Sequence, residues 1–90
     1  MVTLLYKNGT VDLPIGSKFI KRFWYTFDST LIELEIIDVK NDFMKIKEDR
    51  GRYDKINWVK TDNYNIEEIT HIGDGKPNKS LLEKLIDFHL

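Results

Sequence analysis

Residues 31–48 read LIELEIIDVKNDFMKIKE, two runs of alternating apolar and polar residues separated by Asn41-Asp42. Successive side chains of a strand point to opposite faces, so alternation at period two marks a strand with one buried side. Ile32, Leu34 and Ile36 share one face against Glu33 and Glu35, and Met44 and Ile46 share another against Lys45 and Lys47. Within the first run the apolar parity switches from Ile36 to Ile37 and Val39, which predicts a bulge or a strong bend. Asn41-Asp42 supplies the turn that makes the two runs a hairpin. The stretch identifies a small β domain.

Upstream, residues 18–27 (KFIKRFWYTF) form the most aromatic segment. Its odd positions Phe19, Phe23, Tyr25 and Phe27 are expected on one face, with Ile20 and Trp24 beside Lys18 and Arg22 on the other. Downstream, EDRGR at 48–52 is a polar, glycine-containing turn, and residues 53–60 (YDKINWVK) form the next strand. Ile56 and Trp58 share a face there, and Trp58 is expected to anchor the core from a central strand. Residues 61–65 read as a loop; 66–72 read as one helical or 3₁₀ turn followed by a short closing strand.

The N-terminal residues 2–14 (VTLLYKNGTVDLP) have the form of a hairpin. Asn8-Gly9 is a favoured dipeptide for a type I′ turn, in which both central residues need positive φ. Val2, Leu4 and Tyr6 line one arm, with Val11 and Leu13 as their partners. At the other end, Gly73 to Pro77 is a break, and Ser80 with Glu83 has capping-box spacing for a helix over 80–90. Leu81, Leu85 and Phe88 line one side of that helix, with Leu82 and Ile86 on the adjoining side. So short a helix needs a surface to dock on.

Ninety residues make one domain. The expected division is a hairpin at 1–14, a barrel at 15–72, a hinge at 73–79 and a helix at 80–90. Five or so short antiparallel strands after PIGSKF resemble an SH3-like small barrel, with an N-terminal β-hairpin and a C-terminal α-helix; an OB-type barrel or an open α+β sheet fits the same pattern. Such barrels host many unrelated activities, so the resemblance implies a fold and no function.

Composition narrows the function by exclusion. There are 14 Lys+Arg against 15 Asp+Glu, a formal net charge of -1, where a dedicated non-specific nucleic-acid binder is basic. Without cysteine there is no disulfide and no thiolate for a metal or a substrate. His71 and His89 lack metal-ligand spacing, and His71 reads as structural at a strand end. GDGKPNKS lacks the residue order of a phosphate loop, and Pro77 removes an N–H from it. The first residues lack a signal-peptide pattern, and no stretch approaches the length of a membrane span; a soluble, cytoplasmic protein is expected. Ala and Gln are absent, a bias that points to a low-GC bacterium, its phage or a mobile element.

The resulting expectation is a non-enzymatic protein-interaction or adaptor module without metal or cofactor. Its contact residues are Lys18, Lys21, Arg22, Trp24 and Tyr25, joined by Leu82 and Ile86 of the helix. The partner is another protein, and the chain is a monomer or a homodimer through the helix. The alternative is a small nucleic-acid-binding barrel in which residues 18–27 pair cations with phosphates and stack rings on bases.

Overall fold

The computed structural model describes residues 1–73 and 76–77. The chain runs β1 (Val2–Tyr6), β2 (Gly9–Leu13), β3 (Lys18–Trp24), β4 (Ser29–Lys40), β5 (Phe43–Asp49), β6 (Asp54–Lys60), β7 (Asn65–Ile66), β8 (Glu68–Ile72) and β9 (Lys76–Pro77). The protein is mainly β, as the alternation requires. Its strands form two sheets, β2-β1-β7 and β6-β5-β4-β3-β8-β9, with no closed barrel among the described residues. This corrects the expected SH3-like closure. The N-terminal hairpin is a layer of its own, joined by the parallel pairing of Leu5 with Asn65 and Tyr6 with Ile66. The helix expected at 80–90, with Leu82 and Ile86, lies outside the described residues. Within the expected hinge, Pro77 and Lys76 pair antiparallel with His71 and Ile72.

The core lies between the sheets. Val2, Leu4, Leu13 and Ile66 of the small sheet meet Phe19, Leu34, Ile36, Met44, Ile46 and Ile69 of the large one. Register explains the selection, because residues directly opposed across antiparallel strands share a face. Phe19 opposes Leu34 and Ile69, Leu34 opposes Glu48, and Ile36 opposes Ile46. The predicted irregularity is present: Ile36 pairs with Ile46 and Asp38 with Lys45, leaving Ile37 as the extra residue of a bulge. The link from the hairpin runs along β4 just there, Gly16 N–H donating to the Ile36 carbonyl at 2.8 Å and Ile36 N–H to the Ser17 carbonyl at 2.9 Å. Residues 66–72 contain no helical turn; Ile66 ends β7, Glu67 is a bend and the rest form β8.

Two local expectations fail for identifiable reasons. The first hairpin turns one residue earlier than expected: Tyr6 pairs with Gly9, so Lys7-Asn8 form the loop. Lys7 has φ of 56° while Asn8 and Gly9 are not at positive φ, so the turn is not the type I′ turn expected at Asn8-Gly9. This register sets Val2 against Leu13 and Leu4 against Val11, burying Val2, Leu4 and Leu13 and half-burying Val11. Trp58, for its part, is not a core anchor. It is 44% exposed, as is the neighbouring Ile56 at 48%, on a strand that ends its sheet. The loop of residues 50–53 decides that facing. Asp49 pairs with Asp54 around it, Gly51 takes φ of 85°, and Arg50 N–H donates to the Tyr53 carbonyl at 3.0 Å. The even positions of β6 thereby join the outward odd positions of β5, as Lys45 opposite Trp58 and Lys47 opposite Ile56.

Candidate interaction surface

The alternation of β3 splits the residues singled out in its sequence. Lys18, Ile20, Arg22 and Trp24 lie on the outer face of the large sheet, opposed to Glu35, Glu33, Leu31 and Ser29 of β4. Lys21 lies on the inner face with Phe19 and Phe23, opposed to Ile32. Its ammonium donates to the Asn65 carbonyl at 3.0 Å and stands 4.5 Å from the centroid of the Tyr64 ring. Burial holds its pKa below the usual ammonium range, against a smaller raising effect of Glu67. Tyr64 packs edge-to-face on Phe19, with ring centroids 5.9 Å apart. Burial raises its phenol well above the usual range, and the charge of Glu48 adds to the shift. Lys21 and Tyr64 thus tie β3 to the segment that leads into β7.

Arg22, Trp24 and Tyr25 are brought together. The Arg22 guanidinium donates to Glu67 at 3.3 Å and to the Ser29 hydroxyl at 2.7 Å, with its Cζ 5.8 Å from the centroid of the Trp24 ring. Two side chains thus hold the guanidinium near the limit of a cation–π contact with the indole. Tyr25 N–H donates to the Asp28 carbonyl at 2.7 Å and the Asp28 carboxylate accepts from Ser29 N–H at 2.8 Å, closing the loop between β3 and β4. Phe27 sits at its tip and is fully exposed, a correction to its expected place on the Phe19 face. Strand geometry ends at Trp24, so the parity of residues 18–27 does not reach Tyr25 or Phe27.

The 50–53 loop lies at the same end of the sheet. Glu48 is buried, and its carboxylate accepts from Arg50 at 2.6 and 2.8 Å. The Arg50 pKa is raised first by that hydrogen bond, against a cost of desolvation, and then by the charge of Glu48 and by Tyr25 and Tyr53. Arg50 thus ties the 50–53 loop to Glu48 of β5. At this end of the sheet Trp24 and Leu31 on the outer face and Tyr25, Phe27 and Tyr53 in the loops are all exposed, and Arg22 and Arg50 are held by carboxylates. Phe27, Leu31 and Tyr53 were not singled out as contact residues. FDST reads as a turn, and a ring in a turn has no sheet face to enter; that signal was present for Phe27.

Lys18 is half-buried between Glu35 and His71 of the flanking strands and stands apart from the loops. His71 occupies β8, and its Nδ1 is buried without a hydrogen-bond partner among the described residues. No group of His, Asp or Glu among the described residues could hold a metal ion. No helix among them is long and apolar enough to cross a membrane. The chain matches no family model, no curated protein and no solved structure.

Proposed function

We propose that the protein is a non-enzymatic binding module that receives a protein partner on the loop end of its large sheet. The reading is carried by Phe27, wholly exposed beside a Trp24 that is 76% exposed. Contiguous apolar surface on a soluble domain marks an interaction site, and Trp, Tyr, Phe and Arg are the residues enriched at protein interfaces. Taking one such ring out of water contributes about 1.5–3 kcal/mol. Arg22, fixed by Glu67 and Ser29, stands 5.8 Å from the centroid of the Trp24 ring, near the limit of a cation–π contact, and offers a positioned cation beside that ring.

The test is affinity capture from the native host with the wild-type chain and with a Trp24→Ala/Phe27→Ala variant. Both side chains are exposed, so the variant should melt within a few degrees of wild type. A partner retained by the wild type and lost by the folded variant supports the reading. Equal capture by both would place the contact elsewhere.

A further inference from the structure

We propose that the outer face of β4, β5 and β6 is a second site, which binds single-stranded nucleic acid by stacking bases on Phe43 and Trp58 while Lys40, Lys45 and Lys60 take the phosphates. The register assembles the face from three strands. Lys40, Phe43 and Lys60 form one row and Asp38, Lys45 and Trp58 the next. Phe43 and Trp58 are diagonal neighbours on adjacent strands, within reach of two successive bases. They are 45% and 44% exposed, and line a shallow concavity of about 460 Å³ together with Lys40 and Asn41. That volume accommodates a nucleobase.

Unpaired lysines beside the rings point to the ligand class. Lys40, Lys45 and Lys60 make no ion pair among the described residues, whereas Lys47, further along the face, is 4.0 Å from Asp54. Asp38 shares a row with Lys45, and Asp42 and Asp62 line a neighbouring cavity with Lys60, so the lysines serve as separate phosphate contacts and not as a positive field. The Lys45 ammonium is 5.9 Å from the centroid of the Trp58 ring, at the outer limit of a cation–π contact, and can move to a phosphate as a base takes the ring face. Lysine is depleted at protein interfaces, where arginine is favoured. The loop end of the sheet carries arginines among its rings, and this face carries lysines. Lysines around flat, half-exposed rings fit a ligand that alternates phosphates with bases.

Fluorescence anisotropy of a labelled oligothymidylate of about ten nucleotides tests the site on the full chain. Binding should appear at low salt and weaken with a log–log salt slope of about −2, from three phosphates at roughly 0.7 each. Trp58→Ala should weaken it roughly 5- to 140-fold, the range expected for losing one stacked base. Trp58→Phe should retain most of the affinity, and Trp24→Ala should leave it unchanged. No binding at low salt, or equal binding by Trp58→Ala, would overturn the proposal. So would equal affinity for polyglutamate or for duplex DNA, since attraction of polyanions without stacking would then account for the signal.

Discussion

β3 and β6 are both seven-residue strands with large apolar side chains at alternating positions, and they meet opposite fates. Phe19 of β3 has no accessible surface, while Trp58 of β6 is 44% exposed. β3 has a hydrogen-bonded neighbour on each side and the hairpin sheet over its inner face; β6 has one neighbour and ends its sheet. The inner positions of β6 are Lys55, Asn57 and Val59, opposed to Glu48, Ile46 and Met44. Period two says that a strand has two different faces. Which face is covered depends on its neighbours and on the number of residues in the preceding turn.

Replacing each anchor by alanine measures that difference most directly. Phe19→Ala removes a ring enclosed by both sheets and should cost about 3–5 kcal/mol, enough to leave so small a domain largely unfolded at body temperature. Trp58→Ala removes a half-exposed ring at an edge and should cost about 1 kcal/mol or less. Chemical denaturation of the two variants gives both values. Equal losses would mean that Trp58 packs on something as solid as the core, and the contrast between the strands would fail.

Alkaline titration sharpens the same contrast on the covered side. Burial against Phe19 raises the pKa of the Tyr64 phenol above its ordinary value of 10.0. Above that pH the unfolded chain releases the proton while the folded chain keeps it. The stability contributed by the neutral phenol is therefore complete below pH 10.0 and is lost as pH rises toward the folded value. Lys21 acts in the opposite sense: its folded pKa is lowered, so stability rises slightly as pH approaches its unfolded value of 10.5. Tyr64 has the larger shift, so a net fall is expected above pH 10.0. Melting curves between about pH 9 and 12 should show that fall in the wild type and a smaller one in Tyr64→Phe. An identical decline in both would mean that the ring is not enclosed.

The parts of this fold legible in the sequence are those fixed by contacts between near neighbours. The alternation of Ile32, Leu34 and Ile36 located β4, and the parity switch after Ile36 located its bulge at Ile37. Met44 and Ile46 were legible for the same reason, as inward positions of a strand next to it in sequence and in space. The pairing of Leu5 with Asn65, which gives the hairpin its own layer, joins residues sixty positions apart and leaves no local pattern. The candidate surface divides along the same line. Trp24 and Tyr25 were visible as aromatics beside cations, and the parity of Phe19 and Phe23 already placed Lys21 between them on the inner face. The lysine-flanked rings Phe43 and Trp58 become one face only when β5 and β6 are set in register.

The smallest expected effect is at Gly9, and it tests that register. A type I′ turn at Asn8-Gly9 would hold Gly9 at positive φ, where a β-branched residue is strained. In the observed register Gly9 belongs to β2, opposes Tyr6, and has nothing within 4 Å of where a Cβ would stand. Strand geometry favours valine over glycine, and the substitution also reduces the freedom of the unfolded chain. Gly9→Val should therefore leave stability unchanged or raise it by up to about 1 kcal/mol. The strained position is Lys7, at φ of 56°, where Lys7→Gly should stabilise by a similar small amount. Thermal unfolding of the two variants distinguishes the registers. A marked loss in Gly9→Val with no gain in Lys7→Gly would move the turn forward by one residue. That slip would turn one arm of the hairpin over, carrying Leu13 out of a core in which it is now 1% exposed.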